Sequence, residues 1–526
     1  MKMVKSLILG SVAGLVAMSG AQAADLPVKA KAVEYVKVCS LYGAGFFYIP
    51  GTDTCIKLGG YIRIDTTFNG GIYDQPAWSG DLGLHDRYAD NYASRSRAAF
   101  TIDTRTATEY GVVRTFSQAD FQFDTLGSNT TNPSVLTAAG VNSSLLSTPG
   151  GGYTAVEFVF IQFAGFTFGK SASAYATPWH GYPGNNSSFL IGGHDTVTGV
   201  NNIQYTAQFG NGVSATIGLD DPSAFNRTSI YDLGASGTAI AGLSAAGVAS
   251  NAYAGVHMPD IVGNIRIDQA WGLFQLSGAI HEVDASYNVL GAGDAPITGA
   301  TALTDSQLSG HPETKYGGSV MAALQIKNLP TGPGDDIKFD ATWAKGDTKN
   351  VISTSSTSPN FLMAGSGSAG TLGSIGFGAT TDAVYTPVSS GGDGSLHLTT
   401  SYGIRGAFNH NWDPYWSSSL FGGVGWVRYD ATAQANYCTA YYAGIGVANK
   451  ATSTCNPNFS MSELGFITRW TPVKNLTFSA ETIWAHLSQG FTGTAVLTPG
   501  APLPTGVYQF KNQDTVTLNF RAQRNF

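Results

Sequence analysis

Ionisable side chains are scarce in this chain of 526 residues: Asp, Glu, Lys and Arg together make up 12%. Those near its beginning recur at a spacing that could do electrostatic work. Lys57, Arg63 and Asp65 fall an even number of residues apart, and so do Arg95, Arg97, Asp103 and Arg105. In a strand, side chains two apart share a face. Each set is therefore a row of fixed charges on one face, and Arg114 is a further candidate on the segment that follows. Lining a narrow wet passage, such rows tune ion preference. Charge on the opposite side would complete a transverse field that orders water and penalises apolar solutes. Asp195 is the only carboxylate between Ser171 and Gly199, so the opposing charge is thin. The plainer reading of the same residues is that they keep an inner face wet.

No sequence motif assembles a reactive centre. There is no Gly-x-Ser-x-Gly elbow between a strand and a helix, no Cys-x-x-Cys and no His-Glu-x-x-His. The Gly-rich stretches lack the Lys-Ser/Thr that a phosphate cradle requires, and His180 and His194 lack ligand spacing. The expectation is no catalytic residue, no metal and no cofactor. A net acidic chain without a basic, aromatic stripe argues against nucleic acid.

The elements that must position these charges are strands. From Asp514 to Phe526, Val516, Leu518, Phe520 and Ala522 fall on one parity, and Thr517, Asn519, Arg521 and Gln523 on the other. That period of two is the strand period. Ile56, Leu58, Ile62 and Ile64 alternate with Lys57, Tyr61, Arg63 and Asp65, and Ala98, Phe100 and Ile102 with Arg97, Thr101 and Asp103. Ile203 to Phe209 and Val213 to Leu219 flank Gly210-Asn211-Gly212, which supplies the positive φ that a hairpin needs. Similar units run to the end of the chain, about fourteen to sixteen strands in all. Tight connections such as Asn411 to Pro414 alternate with long polar ones, including Asp124–Gly152, Ser171–Gly199 and Asp347–Leu396.

Lys2 and Lys5, the apolar run Leu7–Met18 and Ala21-Gln22-Ala23 read as a secretory signal peptide over 1–23. Its removal would take the formal charge from −7 to −9, since two lysines leave. No later apolar run is long enough for a spanning helix, so an exported chain of this kind is soluble or crosses a membrane as a barrel. Low charge, 66 Gly, 24 Tyr and 28 Phe favour the barrel. Lipid-facing positions carry no charge, girdles use aromatics and turns use glycine. Short connections at one end and long ones at the other point the same way. A barrel near sixteen strands is too wide for side chains to fill. The alternative is a secreted or surface β-protein acting as an adhesin or glycan binder, which would hide its apolar parity and show its charges. Four cysteines, Cys39, Cys55, Cys438 and Cys455, imply disulfides in an exported chain; three connectivities are open, and local pairing closes the shortest loops.

The run Val38-Cys39-Ser40-Leu41-Tyr42-Gly43-Ala44-Gly45-Phe46-Phe47-Tyr48-Ile49-Pro50-Gly51-Thr52, continued by Cys55 and Gly60-Tyr61-Ile62-Arg63, resembles the opening of the general porins of alphaproteobacteria. So do Ile161-Gln162-Phe163-Ala164-Gly165-Phe166-Thr167, Pro259 to Asn264, Asp268 to Gly272, Cys455-Asn456-Pro457 and Trp470-Thr471-Pro472. The resemblance runs from about Ala24 to Phe526. It implies an all-β, transmembrane, antiparallel up-and-down barrel of sixteen strands over 24–526, in the outer membrane of a Gram-negative bacterium. It also implies an infolded constriction loop, passive diffusion of small hydrophilic solutes and a homotrimer. Expected partners are outer-membrane lipid, lipopolysaccharide and the barrel-assembly machinery, the last through the C-terminal strand ending in Phe526. Ser229–Asn251 and Asp347–Leu396 are longer than such porins need. A barrel selective for one substrate would share every feature above.

Overall fold

A computed structural model describes residues 37–87, 89, 91–124, 153–179, 181–194, 198–223, 227–234, 251–288, 309–352, 360–499 and 503–526. The expected signal peptide, Asp195, and most of the Asp124–Gly152 and Ser229–Asn251 stretches lie outside them.

The wall is a closed antiparallel barrel of sixteen strands. They are β1 (Thr54–Phe68), β2 (Tyr92–Thr108), β3 (Gly111–Asp124), β4 (Tyr153–Phe163), β5 (Phe166–Ser171), β6 (Val200–Gly210), β7 (Val213–Asp220) and β8 (Asp260–Gln269), followed by β9 (Gly272–Val283), β10 (Lys315–Lys327), β11 (Asp336–Lys345), β12 (Thr400–Asn411), β13 (Trp416–Arg428), β14 (Phe459–Val473), β15 (Leu476–Gln489) and β16 (Gln513–Asn525). Each pairs with its neighbours in sequence, and β16 closes on β1 from Tyr61↔Asn525 to Phe68↔Leu518. The closure is finished by Phe526, whose amide donates to Gly60 O at 3.1 Å while its carbonyl accepts from Gly60 N at 3.2 Å. Gly60 sits at φ +151°, and a Cβ there would meet Ala99 O at 1.9 Å, so only glycine fits this seam.

The connections sort by end. At one end the strands turn within two to eight residues, as at Ala164-Gly165 and Asn211-Gly212. At the other they are joined by L1 (69–91), L2 (125–152), L3 (172–199), L4 (221–259), L5 (284–314), L6 (346–399), L7 (429–458) and L8 (490–512). In outer-membrane barrels the short turns are periplasmic and the long loops extracellular.

Side-chain parity states which face is greasy. Leu58, Ile62, Ile64, Phe100, Ile102, Phe121, Ile161, Ile217, Leu464, Val516 and Phe520 all point outward and are exposed, whereas Asp65, Arg95, Arg97, Asp120, Gln122, Thr517 and Asn519 point inward and are buried. Hiding one Leu, Ile or Phe from water gains about 1.5–3 kcal/mol. Dozens left in water would outweigh a net stability of about 5–15 kcal/mol. The solvent of the outer wall is therefore hydrocarbon.

Two disulfides close locally, Cys39–Cys55 and Cys438–Cys455. The first ties an N-terminal lobe to the inner side of β1. Phe46 of that lobe lies against Lys57 and Arg105, with Nζ and the guanidinium carbon 5.9 and 4.9 Å from its ring centroid.

The long loops do more than connect. The Gly/Ser/Thr-rich stretch Asp347–Leu396, expected as plain loop, contains strands Phe361–Gly365, Gly373–Gly378 and Thr381–Tyr385. L7 contains an unexpected helix, Ala431–Ile445, capped by Asp430, whose carboxylate accepts from Ala433 N. These elements share an apolar core with L1, L3, L4 and L8 that includes Trp78, Ile191, Tyr231, Phe361, Tyr437, Tyr441 and Phe510. The Gly- and Ser-rich spacing hid these strands because they are short and buried on both faces, so they show no alternation. The extracellular end is thus a packed cap.

Ile64→Arg, on the outer face in mid-strand, should destabilise the folded barrel by about 2–4 kcal/mol. Urea unfolding in lipid vesicles measures it; an unchanged midpoint would put that face in water.

Candidate functional site: the lumen and its constriction

L3 leaves β5, crosses the lumen and returns to β6. Its backbone is bonded all along the far wall. Gln275 of β9 donates to Ala176 O at 2.7 Å, and Asn264 of β8 to Ala174 O at 2.6 Å. Arg469 of β14 donates to Gly184 O at 2.6 Å. Two inward carboxylates hold the tip: Glu481 accepts from Asn186 N and Ser187 N at 2.6 and 3.0 Å, and Glu463 accepts from Ile191 N at 2.7 Å. Arg405, itself paired with Asp340 at 2.9 Å, donates to His194 O at 2.6 Å. An infolded backbone needs such partners, because a buried unpaired peptide group costs about 1–3 kcal/mol. Burial, with Lys349 and Arg405 alongside, holds the His194 imidazole down at about 3, so the ring is neutral.

Close approach is made possible by glycine. Gly192 takes φ +118°, and a Cβ on it would meet Ile404 O at 2.4 Å; on Gly403 it would meet Gly192 Cα at 2.7 Å, and on Gly423 Ile191 O at 2.0 Å. Leu190 fills an inner apolar patch of Ala407, Phe421, Ile467 and Ile483. Here the polar-inward rule yields to L3 docking.

The predicted charges, joined by others that the structure adds, divide into two sets. The first is sealed. Arg95 donates to Asp65 at 2.6 Å, and Arg521 bridges Asp65 and Asp74 at 2.5 and 2.7 Å. Arg97 pairs with Asp120 at 2.7 Å and approaches Glu157 at 3.7 Å. L1 covers them: Tyr73 lies over both guanidinium groups, 5.0 and 5.8 Å from the ring centroid, leaving Arg95 2% and Arg97 7% exposed. The carboxylates that face these arginines come from L1 and neighbouring strands rather than from L3, whose only candidate, Asp195, is outside the described residues.

The second set stays partly open in the periplasmic half. Arg105 and Arg114 share Asp103, at 3.1 and 3.0 Å. Arg266 and Lys327 share Asp268, at 2.9 and 3.3 Å. Arg63 bonds the neutral Gln523 at 2.8 Å. Among the described residues Lys57, Arg63 and Arg469 have no carboxylate within 4.0 Å. Cations therefore outnumber carboxylates along this stretch of wall.

Parity alone reaches Arg521, Asp340 and Arg405, though it does not reveal what they hold, and it passes over Asp74, Asp120, Glu157, Glu463 and Glu481. Asp74 is in a loop without period. Glu463 and Glu481 share a parity with Ile467 and Ile483, which blurs the alternation.

A closed, lipid-facing barrel with a charged lumen and an infolded loop is an outer-membrane channel. The chain matches the porin subfamily over residues 25–519 and belongs to that family. It is 33% identical over 310 residues to porin Omp2b of Brucella canis and of Brucella abortus strain 2308, covering 57% of this chain and 71% of each relative. In fold it is similar to the outer membrane channel DcaP of Acinetobacter baumannii, with a TM-score of 0.53 at 13% identity, over 91% of this chain and 99% of that one. The protein is an outer-membrane porin of a Gram-negative bacterium.

Two substitutions separate the sets. Arg97→Ser strands the buried Asp120 and should cost about 3–5 kcal/mol, read as a lower unfolding temperature, with ion preference unchanged. Arg114→Ser should leave stability near wild type and move the reversal potential in a KCl gradient toward potassium. The opposite assignment of effects would mean that Tyr73 does not seal the first set.

Glu463→Ala with Glu481→Ala removes the acceptors of three L3 amides. Single-channel conductance should rise and become noisy. An unchanged, quiet step would show that these carboxylates do not hold the constriction.

Proposed function

We propose that the protein is a general diffusion porin acting as a homotrimer, with no catalytic activity and no preferred solute beyond small hydrophilic molecules and ions. The observation that carries this reading is the lumen: a charged, water-compatible wall narrowed by a loop that the wall's own side chains hold by hydrogen bonds. A barrel of this width encloses water. Family membership supports passive diffusion. A channel selective for one substrate would need a lining matched to it.

On this reading residues 1–23 direct export, the C-terminal strand ending in Phe526 is read by the barrel-assembly machinery, and lipopolysaccharide contacts the outer rim. Residues Lys57, Arg63, Asp103, Arg105, Arg114 and Asp195 act on solutes in the lumen. Asp65, Arg95 and Arg97 act on it through the shape that their network gives L1.

Purified protein in a planar bilayer should give large, ohmic conductance steps in groups of three, from a sample that runs as a heat-modifiable oligomer. A silent bilayer with protein confirmed inserted would remove the channel reading. Single, ungrouped steps would remove the trimer alone.

A further inference from the structure

Beneath the L3 tip lies a recess of about 280 Å³ that the charge ladder of β1–β3 does not touch. It is bounded by Tyr182–Asn185 of L3 and by the inner faces of β11 to β14. We propose that this recess binds a small oxyanion, such as phosphate, sulfate or a short carboxylate, in transit through the pore; the proposal rests on the channel reading.

Two cations line it. The Arg469 guanidinium donates to Ser419 Oγ at 2.9 Å and to Gly184 O at 2.6 Å, both neutral, so its charge is uncancelled at contact distance. Lys338 Nζ stands 3.8 Å from Asp336 Oδ2, an oxygen that also accepts from Gln325 Nε2 at 2.6 Å. Asp336 is the one carboxylate in the lining. Asp335, behind it, is taken up by His410 Nδ1 at 2.6 Å, Asn411 N at 2.9 Å and Thr331 Oγ1 at 2.6 Å. The remaining lining is mostly hydroxyl and amide, from three serines (417–419) and three asparagines (185, 409 and 411), with Tyr182, Pro183 and His410 at its edge. Two cations against one carboxylate, with short polar side chains around them, suit a compact anion with several acceptor oxygens. Charge-assisted hydrogen bonds to such oxygens are about twice as strong as neutral ones. Conduction requires that such binding be weak enough to release.

The test uses the full-length porin in a planar bilayer in KCl, with inorganic phosphate and then sulfate added on the periplasmic side. Each should produce concentration-dependent flicker. Lys338→Gln should lower the blocking affinity at least about threefold, the loss of one partly screened unit charge. Asp336→Asn should raise it by a similar factor. Arg469 is the poorer probe, since it also holds L3. Opposite signs for the two variants support the site. Equal flicker in both, or none in the parent while KCl steps persist, overturns the site and leaves the channel standing. Loss of the KCl steps themselves would instead remove the channel reading.

Discussion

A peptide group left unpaired in hydrocarbon costs several kcal/mol, and this architecture follows from that constraint. A strand can enter lipid only if both edges are paired. The sixteen strands meet the condition by closing β16 on β1, and Gly60 is the point where closure leaves no space for a side chain. Once the ring is closed, alternation does the rest: one parity meets acyl chains, and the other is left around a space too wide for side chains to fill.

The same constraint acts a second time inside. L3 carries its own peptide groups into the lumen, away from bulk water. They are met by Glu463, Glu481, Arg405, Gln275 and Asn264, reaching inward from the wall. These inward polar side chains hold a backbone in place, whereas Lys57, Arg63, Arg105 and Arg114 are the groups proposed to act on the passage. A third group serves packing: Arg95 and Arg97 are folded under Tyr73, and Asp65 and, through it, Arg521 are tied to Arg95 by ion pairs. One wall thus carries charges with three different duties, distinguished by what covers them.

The barrel was legible because its signal is periodic. Leu58 against Lys57, or Phe520 against Arg521, states a face without any coordinates. The parity of Arg95 and Arg97 was legible in the same way; their burial was not, since the cover is Tyr73, in a loop with no period. The β14 and β15 carboxylates were obscured because Ile467 and Ile483 share their face to receive Leu190. The cap was missed for a related reason: Gly373–Gly378 and Thr381–Tyr385 are short and buried on both faces, so they never alternate. Local pairing of the cysteines was the shortest closure among three open choices, and the structure has it.

Solvent access along a single strand probes the central assignment most directly. Among the described residues both cysteine pairs are disulfide-bonded, so an introduced thiol reports alone. Ile62→Cys, Arg63→Cys and Ile64→Cys would each be placed in lipid vesicles and exposed to a charged, membrane-impermeant thiol reagent. The account requires Arg63→Cys to react, with a drop in conductance, while its two neighbours stay unmodified. Modification of the Ile62 and Ile64 positions with protection at 63 would turn the barrel inside out and contradict it.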